Sequence, residues 1–310
     1  MRRFIAPALA LVLGMSAVVA ADPAPKLPDP KDPTSAIMTP VALLRSNDFK
    51  GFYELMPAED QAKAQAEWDK ARTETAAGKA SEGKDSEGKM AEFNAFMAKC
   101  LAPDAVDQLM LEAEPKLVDM KPEEVSQGLQ MMGAMLPMMA MQGQGGKKAD
   151  PEQQQLMGAV GGMMMDASQW VLTAGIDDPK KLRSAIEKLV AGAKALGVKD
   201  SKDLQALPLD EFLGRLGPVV KEMKAALAIY DLQLDPLLDS VKATAKGEGN
   251  ERSLAVSFKA FGKPYALPVK VELKDGHWMV SPKNAKGLPG GNPMGGDAGG
   301  ENPAMPMDPK

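Results

Sequence analysis

Apolar residues recur at helical spacing through most of the chain and switch to strict alternation only near its end. In "MAEFNAFMAKCL", Phe93, Phe96, Met97, Cys100 and Leu101 stand at i, i+3, i+4, i+7 and i+8, the stripe of a helix with one buried face. "DPKKLRSAIEKLVAGAKALG" repeats the pattern through Leu182, Ile186, Leu189 and Val190, with Asp177 or Asp178 placed to cap the helix and Pro179 at its first position. "TPVALLRSND" offers Thr39 as a cap and Pro40 as the first residue of another helix. Further helices are predicted in "PAEDQAKAQAEWDKARTETA", "PDAVDQLMLEAEPKLV", "KPEEVSQGLQMMGAML", "QLMGAVGGMMMDASQWVLTAG", "LDEFLGRLGPVVKEMKAALAIY" and "LDPLLDSVKA". The near-duplicate SEGK of "AGKASEGKDSEGK" reads as a small, charged loop, and "GQGGKKADPE" as a break between helices.

The period then becomes two. In "SLAVSFKAF", Leu254, Val256 and Phe258 alternate with Ala255, Ser257 and Lys259. "YALPVKVELKDGHWMV" follows, and its Asp275-Gly276 pair is the strongest hairpin signal in the chain. A two-residue turn there pairs Lys274 with His277, Leu273 with Trp278 and Val271 with Val280. Cross-strand partners share a face, so Val271, Leu273, Trp278 and Val280 are expected to form one apolar surface. The pattern predicts a mainly α, α+β fold: a multi-helix body over residues 34–248, with a Met-rich segment at 128–165, and a three-stranded antiparallel meander over 249–282 packed on it.

A helical body that finishes on "DGHW" resembles uncharacterised proteobacterial envelope proteins ending in an Asp-Gly-x-Trp hairpin, several of which have cystatin-like or NTF2-like α+β folds. The resemblance covers about residues 236–282. It implies how the fold ends, and it implies no catalytic residue.

The two ends of the chain follow different rules. Arg2 and Arg3 precede an apolar run from Phe4 to Val19, closed by small residues with Val18 and Ala20, or Val19 and Ala21, at the −3 and −1 positions of a cleavage site. The run is short for a membrane span of ~20 residues, and Pro7 and Gly14 interrupt it. No cysteine stands at its end to carry a lipid anchor. Residues 1–21 therefore read as a signal peptide, and the mature chain as a soluble periplasmic or secreted protein without a stable membrane span. Residues 22–33 are proline-rich and expected to be an extended linker. Residues 283–310 hold Gly, Pro and Met without aromatic or β-branched side chains, the composition of a disordered tail.

Charge and chemistry narrow the function by exclusion. The chain has 37 basic and 42 acidic residues, a net charge of −5; without Arg2 and Arg3 the balance is 35 against 42, or −7. That balance, with no basic stripe, argues against a nucleic-acid partner. Cys100 is the only cysteine and sits on an apolar stripe, as a buried thiol would. His277 is the only histidine, and the hairpin register turns it away from Trp278 toward solvent. Glu123 and Glu124 follow Pro122, where acids favour the positive end of a helix. Asp177 and Asp178 stand where a cap is needed. These assignments leave no catalytic or cofactor-binding residue to name, so a non-catalytic role, structural or partner-binding, is the expectation.

The methionines remain. Ten of the 23 fall between residues 131 and 165. Helical spacing puts Met131, Met135, Met138 and Met139 on one side and Met132 with Leu136 on an adjacent strip, while Pro137 is expected to kink the segment. The first expectation is burial between closely packed helices, favoured by Gly128, Gly133, Gly158, Gly161 and Gly162, at ~1.5–3 kcal/mol for each fully buried side chain. Two alternatives stand beside it. Met131, Met135, Met138, Met139, Met163 and Met164 are candidates for a pliable surface that takes an unfolded client or another envelope protein, similar in texture to the Met-rich groove of signal-sequence-binding domains. Met132, Met135, Met138 and Met141 recur every third residue, resembling the methionine motifs of extracytoplasmic copper proteins, and are candidate Cu(I) ligands.

Overall fold

The computed structural model describes residues 27–76, 84–119, 121–142 and 151–281. Within them the chain forms eleven helices followed by four strands. The helices are α1 (Ser35–Ser46), α2 (Phe49–Glu54), α3 (Ala58–Ala76), α4 (Lys84–Leu101), α5 (Ala105–Asp119), α6 (Pro122–Gln142), α7 (Pro151–Thr173), α8 (Pro179–Leu196), α9 (Ser201–Ala206), α10 (Leu209–Ala228) and α11 (Leu234–Asp239). The strands are β1 (Lys242–Lys246), β2 (Glu251–Ala260), β3 (Lys263–Lys274) and β4 (His277–Val280), a meander in the order β1-β2-β3-β4. The mainly helical class with a C-terminal antiparallel sheet is as expected. The sheet has four strands, not three, and its first strand lies within the range assigned to the helical body.

The helical body is built on α8. Asp178 accepts from the Lys180 N–H and Pro179 opens the helix, while Gly197 closes it in the left-handed region at φ 69°. Its buried face is Ala185, Ile186, Val190, Ala193 and Leu196. Leu182 packs against that face, and Leu189, although its position falls within the arc, is 40% exposed. Met97 and Cys100 of α4, with Ala105 and Met110 of α5, complete the core. Phe93 packs against it, but Phe96 and Leu101 point outward, so the α4 face is narrower than its apolar composition. Burial pushes the Cys100 thiol above its usual pKa against the opposing pull of Lys194.

Helix starts differ from expectation in two places. The first helix begins at Ser35, leaving Thr39 buried and Pro40 inside it. The turn that leads into it holds Asp32-Pro33, another acid–proline pair: the Asp32 carboxylate accepts from the backbone N–H and the hydroxyl of Thr34. The second SEGK copy is not loop, because α4 already runs from Lys84 through it. Residues 1–26, 77–83, 120, 143–150 and 282–310 lie outside the described residues, and with them the expected signal peptide and C-terminal tail.

The hairpin register is the expected one: Lys274 pairs with His277, Leu273 with Trp278 and Val271 with Val280. Val271 and Trp278 are buried with Leu254 and Val256, and Leu273 packs against them. Val280, at the end of its strand, is exposed. Helix α1 covers this face through Ala36, Ile37, Met38 and Val41. The proline-rich stretch joins the same core at its end, since Trp278 Nε1 donates to the Lys31 carbonyl at 3.0 Å and Pro33 is buried. Pro264 and Pro268 fall where β3 extends past β4, so their missing N–H groups interrupt no pairing on that side.

Both two-residue turns of the sheet use positive φ: Asp275-Gly276 at 53° and 80°, and Phe261-Gly262 at 51° and 75°. Aspartate suits that conformation and phenylalanine does not. Phe261 is held there by Trp170 of α7, at 6.2 Å between ring centroids, and Trp170 Nε1 in turn donates to the Tyr230 carbonyl at 2.7 Å.

Two polar links join the layers. Lys224 of α10 is fully buried, and its ammonium donates to the Leu44 and Arg45 carbonyls at the end of α1, 2.9 and 3.3 Å away. It also pairs with Asp235 at 2.6 Å. On the other side, Asp166 of α7 accepts from Lys263 Nζ at 2.5 Å and from the Tyr265 hydroxyl of β3.

Candidate functional site

The Met-rich segment forms the α6–α7 hairpin, whose two helices pack chiefly on each other. The contact runs through small residues. A Cβ added to Gly133 would stand 2.7 Å from the Gly161 carbonyl oxygen, so the backbones meet there at a distance only glycine permits. Ser126 and Ser168 are both buried, each seven residues from one of those glycines, so the antiparallel helices approach through small side chains at a second level. Met157 is buried in the seam, with Val160 and Met164 packed against it.

This choice of contact face turns the other methionines outward. At ~100° per residue, Met131, Met135 and Met138 fall within about 60° of one another, on the side of α6 opposite Gly133 and Ser126. They are 66%, 52% and 60% exposed, and Met132 on the adjacent strip is 51% exposed. Met165 of α7 is 50% exposed beside Gly133. The expected burial therefore fails for α6, because the stripe that looked like a core face is the outer face of the hairpin. It holds for Met157.

Of the candidate partner-binding residues, the structure places Met131, Met135 and Met138 together on one surface. Met163 and Met164 are half-buried on α7, and the Met139 side chain lies outside the described residues. Of the candidate Cu(I) ligands, Met132, Met135 and Met138 are exposed, and the Met141 side chain is outside the described residues. Helix α6 runs without a break from Pro122 to Gln142, so residues three apart step about 60° around it. Met132 and Met138 thus diverge by roughly 120°, and a shared ion would need ligands from elsewhere.

The exposed sulfurs lie in stretches of sequence without charges. No Asp, Glu, Lys or Arg occurs between Val125 and Gln142, or between Gln153 and Met165. Exposed apolar side chains grouped along one uncharged stretch of helix mark a candidate contact site.

A second feature was not anticipated from the sequence. A cleft of about 580 Å³ opens between the end of α7, the segment before α11 and the β2–β3 turn, floored by Trp170, Leu237 and Phe261. Asp166 stands at its edge. The Lys263 and Tyr265 hydrogen bonds hold the Asp166 carboxyl below its usual pKa. Burial, reinforced by that carboxylate, raises the Tyr265 phenol. The acid is ionised with its donors in place and the phenol stays protonated, so the trio fastens α7 to β3 and offers no free base. The one sequence signal for it is that Asp166 is the first charge after a long uncharged run.

Among the described residues, no cluster of His, Cys, Asp and Glu could hold a metal ion, and no helix is long and apolar enough to cross a membrane. His277 is exposed on the face away from Trp278. The chain matches no protein-family model, no curated protein and no solved structure.

Proposed function

We propose that this is an exported, non-catalytic binding protein whose outer α6 face takes uncharged, apolar segments of unfolded polypeptides in the bacterial envelope. The observation that carries the reading is the exposure of Met131, Met135 and Met138 on one side of α6, with Met132 on the adjacent strip, in a stretch without charges from Val125 to Gln142. The basic-then-apolar leader supports the location. A charged occupant would lose hydration there and find no counter-ion, so the surface selects against charge. Unbranched thioethers repack around varied shapes, which suits clients without a shared sequence. Covering the exposed half of each of the four side chains contributes on the order of 1 kcal/mol apiece before the costs of association, the regime of weak and reversible capture.

The test is aggregation of an unfolded client, followed by light scattering, with and without the leader-free protein. The protein slows aggregation. A variant with Met131, Met135 and Met138 replaced by glutamine loses the effect while keeping its helical circular dichroism and Tm. Unchanged aggregation in the presence of the parent protein refutes the reading.

A further inference from the structure

We propose that the exposed thioethers of α6 are an oxidation site through which peroxide switches this face off; the inference rests on the binding role proposed above. The reaction is a two-electron oxygen-atom transfer. A sulfur lone pair attacks one oxygen of hydrogen peroxide, the S–O bond forms as the O–O bond breaks, and the departing hydroxide takes the remaining peroxide proton to leave as water. Each event oxidises one thioether to a sulfoxide and reduces one peroxide. The product is polar and a strong hydrogen-bond acceptor, so an apolar contact face becomes a hydrated one.

The structure separates reactive from protected sulfur within one chain. Met131, Met132, Met135 and Met138 are at least half exposed on the outer face of α6, and Met165 matches them on α7. Met97 and Met157 are buried at 1% and 3%. Cys100, the competing sulfur, is fully buried in the helical core, and its thiol is held protonated by that burial. Peroxide therefore meets the contact face, together with Met165, before the buried sulfurs of Met97, Met157 and Cys100. Because α6 presents Met131, Met135 and Met138 on the side opposite its packing with α7, and Met132 on the adjacent strip, their oxidation changes the surface without opening the Gly133–Gly161 seam.

The experiment has two readouts. Peptide mapping by mass spectrometry after graded hydrogen peroxide shows Met131, Met132, Met135 and Met138 converted on the order of tenfold faster than Met97 and Met157, with unchanged circular dichroism. Equal rates, or core sulfurs first, overturn the proposal. Client protection and binding of an environment-sensitive apolar dye are then compared before oxidation, after it, and after treatment with a methionine sulfoxide reductase and a dithiol. Both fall on oxidation and return on repair. In a variant with Met131, Met132, Met135 and Met138 replaced by leucine, which is apolar but inert to peroxide, both survive the oxidant. Protection that persists through oxidation, or a leucine variant as sensitive as the parent, refutes the switch and leaves the binding role standing. No protection before oxidation refutes the binding role instead, and the dye then decides whether the face still changes.

Discussion

Lys224→Met tests what joins the helical body to the sheet layer. The side chain is fully buried, and methionine nearly matches its length, so packing is largely kept while the ammonium is lost. Its two hydrogen bonds, at 2.9 and 3.3 Å, go to the Leu44 and Arg45 carbonyls in the last turn of α1, where Leu44 also accepts from the Asn47 N–H. Hydrogen bonds from a charged donor are worth ~1.5–3 kcal/mol each. The pair with Asp235 at 2.6 Å adds to this, and the desolvation of the ammonium opposes it. Breaking a buried pair by removing one member costs about 3–5 kcal/mol, and the lower end applies here because Arg45 still reaches Asp235 at 3.3 Å. Urea unfolding followed by circular dichroism reads the change as a shift in midpoint at constant slope. A loss below about 1 kcal/mol would mean the link is decorative, and the reasoning fails.

Burial also pulls the Lys224 pKa below its ordinary value, with Asp235 acting against it. The folded state then releases its proton at lower pH than the unfolded chain. Between the lowered folded pKa and the unfolded value of ~10.4, the unfolded state binds more protons, so parent stability rises with pH relative to the methionine variant. A gap between the two proteins that narrows over that window contradicts the assignment.

Three further outcomes follow from the same contacts. Gly133→Leu drives a side chain into the Gly161 carbonyl and costs about 1–3 kcal/mol; an unchanged Tm would show that the helices do not meet there. Asp166→Asn removes a carboxylate whose pKa is lowered by Lys263 and Tyr265, so the parent's advantage is complete above the unfolded pKa of ~3.9 and disappears as pH falls through the folded value. An advantage that stays constant through acid titration contradicts the ion pair. Trp278→Phe deletes the hydrogen bond to Lys31, costs about 1 kcal/mol and speeds proteolysis around Lys31; equal cleavage rates would place that turn's anchoring elsewhere.

Local chemistry was legible wherever it determined the answer by itself. Asp275-Gly276 sets a two-residue turn, and the turn alone sets the register of every pair in the last hairpin. Asp178-Pro179 caps and opens α8 without help from the rest of the fold. Strand β1 escaped because its inward residues, Ala243 and Ala245, are too small for alternation to register, and it exists through pairing with Val256 and Leu254. The methionine stripe was legible, with burial and exposure as its alternatives, but the choice between them was not. Periodicity identifies residues that share a side of a helix, but only the neighbouring element decides which side is covered. On α6 the small residues won that contact, because Gly133 lets α7 approach more closely than a methionine stripe would. The Asp166–Lys263–Tyr265 trio joins residues about a hundred positions apart, and no local pattern announces it.

The central claim is that the outer face of α6 meets apolar polypeptide. Methyl NMR of the protein labelled with 13C at the methionine ε-methyl groups, titrated with an uncharged apolar peptide, tests it residue by residue. The account predicts that the Met131, Met132, Met135 and Met138 signals shift or broaden saturably while those of Met97 and Met157 stay fixed. Peptide binding that leaves the four exposed methyls unmoved, or moves the buried ones equally, contradicts it.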